Sequence, residues 1–311
     1  MPGRGPPPPP PSAGPAGPQL PMYGSVTDGG SRMLFKDTYA PPPARSLTTS
    51  ETRVLYVLPC LTSVVVLVLF LHVYHRSWIA VLEVCCALFL VFAASAALNR
   101  DTPFRFYASV LCLLALCSAI GIGLLANSAA ITEYWFLHDG NAYANVLPSE
   151  LAAAYADAGK IVFADGSRID VNRALGYKDS ATYCVAPVID DMVEPAAIQF
   201  WAVGTDCCAE RGSFDCDDAW NSKAHSGVRA GRADAEHFEQ ALRMAEVAYS
   251  IPSAEKPVLV RWVADPETVE LNYWRFGTAV LLGGLLAQLL ALALGVAALK
   301  MVMGSGRNFF R

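Results

Sequence analysis

The chain has 311 residues, 54% of them hydrophobic and 16% charged, with a formal net charge of −5 and a mean hydropathy of +0.34. Soluble globular chains carry about a quarter charged residues, so a uniform soluble enzyme and a basic nucleic-acid binder are both excluded. The charge is also uneven: residues 131–275 hold 23 acids and 12 bases, a net of −11, while the remainder holds 5 acids and 11 bases, a net of +6. That excess of acids in one long segment excludes an all-membrane transporter with minimal loops.

Residues 1–53 hold 13 of the 21 prolines, including an unbroken run at 6–11. Such a composition cannot bury enough apolar surface to fold and predicts a disordered arm with polyproline-II character. The arm reads either as an inert cytoplasmic tail or as a ligand for a domain that grips Pro-rich segments in an aromatic-lined groove. Four apolar stretches follow, at 54–74, 78–98, 106–130 and 276–302. Each has the ~20 residues that a bilayer crossing needs, and none alternates as a barrel strand does, so four transmembrane helices are predicted. The domain plan is an arm over 1–53, helices 1–3 over 54–130, a large loop over 131–275, helix 4 over 276–302 and a tail over 303–311.

Orientation follows from the short flanks. Arg4, Arg32, Lys36, Arg45, Arg53, Arg100, Arg105, Lys300, Arg307 and Arg311 lie on one side, against Arg76 alone on the other. The positive-inside rule then puts both termini in the cytoplasm and the loop outside, in the plasma membrane or an endomembrane. Tyr74 with Trp78, Tyr134 with Trp135, and Tyr273 with Trp274 all fall at the outer ends, at headgroup level.

The large loop reads as a folded α+β domain. Ser149 is placed to cap a short helix through Ala158. Residues 160–163, Asp165-Gly166 and residues 168–171 read as a hairpin about an Asp-Gly turn. Runs at 182–189 and 198–204 read as strands. Phe238, Leu242, Ala245 and Tyr249 recur on one helical face, ended by Pro252 and Pro257, and 258–263 reads as a last strand.

The nine cysteines divide into five in the spans and four in the loop, Cys184, Cys207, Cys208 and Cys216. Thiols in apolar spans read as small hydrophobes. An even number outside the cytosol predicts two disulfides. Bonding between the adjacent Cys207 and Cys208 is strained, which leaves two pairings: Cys184–Cys207 with Cys208–Cys216, or the same with partners exchanged. The spacing of Cys207, Cys208, Cys216 and His225 fits no zinc pattern, and Asp215, Asp217 and Asp218 lack the order of an EF-hand. No metal and no cofactor are expected.

A Cys-Cys pair and a further Cys, here Asp206-Cys207-Cys208 and Asp215-Cys216, in a long loop between the third and fourth of four spans, resembles the tetraspanins. This chain has Ala209 where that family has Gly after the pair, and its first outer loop is only His75-Arg76-Ser77. The resemblance implies organisation of partner proteins in a membrane. The block from Phe200 to Cys208, continuing through Ala224-His225-Ser226-Gly227, is similar to one in uncharacterised multi-pass proteins of alveolate protists, dinoflagellates especially, and implies no activity.

No metalloprotease helix, phosphate-binding Gly-rich loop or nucleophile elbow is present. Inside the spans, Glu83 is an ionisable group at membrane depth, a costly and often functional placement with Gln288 as its candidate companion; the other reading is that it snorkels to the nearby outer surface or bonds a neighbouring helix. Gly283, Ala287, Ala291 and Gly295 form a small-residue stripe suited to close helix packing, either as a seam facing Gly121 and Gly123 within the bundle or as a dimer face. The function expected from these readings is that of a non-enzymatic membrane scaffold or receptor, with membrane lipids around it and a protein partner on its outer domain. The alternative is a transporter or channel subunit using Glu83.

Overall fold

The computed structural model describes residues 47–190, 196–231 and 233–304. The Pro-rich arm therefore falls almost wholly outside the described residues. Among the described residues, four helices are long and apolar enough to cross a membrane, and a disulfide-bonded sheet domain lies between the third and fourth of them.

Helix α1, Thr49–His72, opens with a capping box in which Thr48 and Glu51 satisfy each other's backbone N–H groups. Helix α2, Trp78–Leu98, starts on the Ser77 hydroxyl. Helix α3, Pro103–Ala126, has Pro at its first position, where the missing N–H costs nothing. Helix α3 is the centre of the bundle and touches α1, α2 and the last helix of the chain, α6, Pro266–Gly304.

Two helices run well past the expected span ends. Helix α3 passes through a π-helical turn, Asn127–Ile131, into α4, Thr132–His138. The turn is fastened by Asn127, whose side-chain amide donates to Gly123 O at 2.9 Å and to Phe70 O of α1 at 3.3 Å. Helix α6 begins ten residues before the apolar stretch, with Asp265 accepting from Glu267 N at 3.0 Å. Its 39 residues make roughly 58 Å at about 1.5 Å per residue, about twice a hydrocarbon core. The expected boundaries at 130 and 276 mark where apolar sequence stops, whereas the helices continue as a pair of struts into the sheet domain.

The described residues of that domain form eight strands: β1 Asn141–Val146, β2 Ala158–Phe163, β3 Ser167–Ile169, β4 Leu175–Lys178, β5 Thr182–Asp190, β6 Ile198–Thr205, β7 Ser226–Arg229 and β8 Ser253–Val263. Their order in one mixed sheet is β1-β2-β7-β8-β6-β5-β3, with β4 also on β5. Helix α5, Ala235–Tyr249, crosses between the parallel strands β6 and β8. Successive side chains of a strand point to opposite faces. Accordingly Tyr183, Val185, Trp201 and Val203 pack under Phe238 and Leu242 of α5, while Cys184, Ala186, Phe200 and Ala202 face a second core with Phe163 and Trp262.

Three local expectations are corrected. The segment after Ser149 forms only a 3₁₀ turn, Ala152–Tyr155, preceded by Leu151 without a side-chain cap. The Asp165-Gly166 turn exists, with Gly166 at φ +91°, but β2 and β3 do not pair: β2 lies between β1 and β7, and β3 pairs with β5. The last strand starts at Ser253 and runs through Pro257.

Where α4 ends against β2, two glycines meet. A Cβ on Gly159 would lie 2.6 Å from Leu137 O, and one on Gly140 would lie 2.6 Å from the Gly159 Cα. No other residue allows the strut to approach the sheet so closely.

Candidate functional site

The junction between the sheet domain and the helix ends gathers a cluster of polar and aromatic side chains. Trp135 of α4 donates its indole N–H to Leu71 O at 2.8 Å. His75, in the turn between α1 and α2, stacks on that indole with ring centroids 4.1 Å apart and an interplanar angle of 8°. Tyr134 packs against Trp274 of α6 at 4.7 Å, so two of the aromatic pairs placed at headgroup level in the sequence meet each other. Behind them Lys160 of β2 bonds Glu270 at 2.6 Å and Glu267 at 2.8 Å, and Glu270 also bonds His138 Nδ1 at 2.8 Å. Arg261 of β8 forks onto Asp217 at 2.6 and 3.1 Å and donates to Tyr273 OH at 2.7 Å.

A cleft of about 600 Å³ opens here, lined by His75, Glu133, Trp135, Asp139, Asp157 and Arg229 among others. A second, of about 470 Å³, lies beside it and shares Glu133 and Arg229. Arg229 donates to Ala156 O. Burial holds the His75 imidazole below the ordinary histidine pKa; Asp139 pulls the other way, and Arg76 and His72 reinforce the burial. The ring is therefore neutral at neutral pH. Hydrogen bonds from Asn141 and Tyr143 hold the Asp157 carboxyl below the usual range, so it is charged.

The disulfides take the second of the two pairings, Cys184–Cys208 and Cys207–Cys216. Cys184 on β5 sits opposite Gly204 on β6. The adjacent thiols then leave that strand end for different partners, with Asp206 in the left-handed region at φ 56° forming the bend. The sulfurs of Cys184, Cys207 and Cys216 lie within 4.8 Å of one another and are the one such group among the described residues. All three are in bridges, so they offer no thiolate to a metal. His225 instead faces the Lys223 carbonyl at 2.9 Å. The segment from Cys216 to His225 is pinned by the bridge and by Asp218, which accepts from Ala264 N at 2.8 Å. On it stands Trp220, 74% exposed.

The two polar residues expected inside the spans, Glu83 and Gln288, are not brought together. Glu83 lies on the exposed face of α2. Gln288 lies in the seam of α6 with α1 and α3, donating to Ser63 Oγ at 2.6 Å and to Ala115 O at 2.9 Å. Gln288→Leu should therefore cost about 0.6–1.7 kcal/mol of bundle stability, while Glu83→Gln should stay within about 0.5 kcal/mol; thermal melts of the two variants in detergent compare them. The small-residue stripe is corrected in direction. Gly283, Ala287, Ala291 and Gly295 are all exposed, and a Cβ on Gly283 or Gly295 meets nothing within 4 Å. The glycines of α6 that meet a neighbour closely are Gly277, on Ile131, and Gly284, on Ile122, while Gly123 packs on Phe70 of α1.

Sequence reasoning missed His75, Glu133, Asp139, Asp157 and Arg229 as a group, because they come from four separate parts of the chain. Glu267 and Glu270 carried one usable signal: three residues apart, they share a helix face. No family model, curated protein or solved structure matches the chain.

Proposed function

We propose that the chain is an integral, multi-pass membrane protein with both termini cytoplasmic and the sheet domain outside, acting as a non-enzymatic, receptor-like scaffold whose outer domain binds a partner protein. The positive flanks of the spans support that orientation, and two disulfides suit an oxidising side. The observation that carries the binding reading is Trp220, an indole 74% exposed on a segment fixed by Cys207–Cys216. A rigidly held, solvated Trp is the side chain most often found as an interface anchor, since it brings a large contact area with little rotamer entropy to lose. The tetraspanin likeness agrees with a role in organising partners.

The transport reading has less to support it. Glu83 and Gln288 sit on different faces of the bundle, and Gln288 is engaged in a helix–helix seam.

Trp220→Ala should weaken capture of the partner by about 2 kcal/mol or more, roughly thirtyfold, in crosslinking and co-purification from intact cells. Deleting residues 140–268 should abolish it while membrane insertion persists. Partners retained by the deletion variant would sink the reading.

A further inference from the structure

The larger cleft holds charge that the fold does not use. Among the described residues its lining has three carboxyl groups, Glu133, Asp139 and Asp157, against one guanidinium, Arg229. Asp157 is committed, accepting from Asn141 at 2.6 Å and from Tyr143 at 2.9 Å. Glu133 is half-buried and makes no hydrogen bond or ion pair with a described residue. Burial disfavours its charged form more than Arg261 favours it, and Arg261 is already clasped by Asp217 and Tyr273.

A second observation at the same place points to a ligand. The His75 side chain is 8% exposed, it lines the cleft, and neither ring nitrogen has a hydrogen-bond partner. Asp139 Oδ2 stands 3.8 Å from Nε2, beyond hydrogen-bond reach. A neutral imidazole offers one donor and one acceptor, and burying both without partners is costly. Something that donates to one nitrogen and sits beside carboxylates would remove the acceptor's share of that cost.

The walls narrow the chemistry. A volume of about 600 Å³ is the scale of a small organic molecule and far exceeds a bare ion. Trp135, Phe136 and Ala158 supply apolar surface beside the acids. A quaternary ammonium would satisfy the carboxylates but has no N–H for the orphaned imidazole acceptor.

We infer that this cleft binds a small ligand through a primary ammonium group, held by Glu133 and Asp139 and donating to a ring nitrogen of His75. The ammonium has two candidate sources, a free amine or the ethanolamine headgroup of a phospholipid. The lipid source rests on the membrane placement proposed above; the amine site itself does not.

The test uses the full chain in a maltoside detergent, with thermal melting followed against ethanolamine, dihexanoyl-phosphatidylethanolamine, dihexanoyl-phosphatidylglycerol and sodium chloride at matched ionic strength. The expected result is a saturable upward shift with ethanolamine that sodium chloride does not give. Glu133→Gln should weaken it at least tenfold. Ala233→Trp, at an exposed residue lining the cleft, should block it while keeping every charge, which guards against misfolding of the Glu133→Gln variant. A phosphatidylethanolamine affinity at least tenfold above that of ethanolamine assigns a lipid, and equal affinities assign a free amine. No ethanolamine effect in the wild type, unchanged affinity in both variants, or preference for phosphatidylglycerol overturns the site. Partner capture by Trp220 is measured separately, so either idea can fail alone.

Discussion

Replacing Lys160 with methionine should destabilise the sheet domain by about 3–5 kcal/mol, the cost of stripping one partner from a buried ion pair. The Lys160 side chain is 13% exposed and Glu270 11%. One ammonium on β2 holds two carboxylates of α6, and through Glu270 it reaches His138 at the end of α4. Removing it leaves the Glu270 carboxylate buried with His138 as its remaining hydrogen-bond partner, whereas Glu267 is 73% exposed and returns to water. The double variant Lys160→Met/Glu270→Leu should recover most of the loss, since an apolar pair of similar volume is often neutral against an ion pair. Thermal melts of the purified chain separate these outcomes, and a Lys160→Met variant within about 1 kcal/mol of wild type, on the same scale, would show that the strut is held by packing alone. The pH dependence has a definite sign. Burial works against the ammonium, but its hydrogen bonds to Glu267 and Glu270 outweigh it and raise its pKa above the ordinary lysine value. The contribution is then complete below about pH 10.4, the unperturbed value, and is lost as pH rises through the higher folded pKa. Wild type should lose stability in that alkaline window, and Lys160→Met should not.

The sequence carried the parts whose signal is local. Four apolar stretches, the β-branched and aromatic runs that became β5 and β6, and the α5 face through Phe238, Leu242 and Ala245 were all legible, because period and length are written into contiguous residues. What failed depended on partners distant in sequence. The Asp165-Gly166 turn is real, yet β2 is claimed on its edges by β1 and β7, so the expected hairpin opens into opposite parts of the sheet. Strand β1, Asn-Ala-Tyr-Ala-Asn-Val, has little intrinsic strand preference and exists through its parallel pairing with β2. The i, i+4 spacing of Gly283, Ala287, Ala291 and Gly295 marked a common face but held no information on its direction, which Gln288 and Leu281 decide by packing inward instead. The struts were hidden for a related reason. Glu133, Glu267 and Glu270 end the apolar pattern, while the helices they sit on continue. The cleft had no motif at all, since His75 belongs to a short turn and meets Glu133 and Asp157 only in the folded chain.

The two bridges should not be equal. Cys184–Cys208 closes a separation of 24 residues and Cys207–Cys216 one of 9. The chain-entropy relation gives about 3–4 kcal/mol for the longer and about 2–3 kcal/mol for the shorter. Each bridge buries one cysteine in the same core, Cys184 on β5 and Cys216 beyond β6, and removing either leaves a void there, but only the longer one ties the loop to strand β5. The shorter bridge lies at the strand end, over Gly204, where a Cβ would come within 2.5 Å of Cys216 Sγ. Its removal frees the segment carrying Trp220 and leaves β5 and β6 paired. Cys184→Ala/Cys208→Ala should therefore lower the melting temperature of the domain more than Cys207→Ala/Cys216→Ala does. Partner capture through Trp220 should respond in the opposite order, failing first when the shorter bridge is lost. A non-reducing peptide map with thiols blocked before extraction checks the premise: it should join Cys184 to Cys208 and Cys207 to Cys216. Four alkylated cysteines there would remove both disulfides, and with them the oxidising side on which the proposed placement of the domain depends.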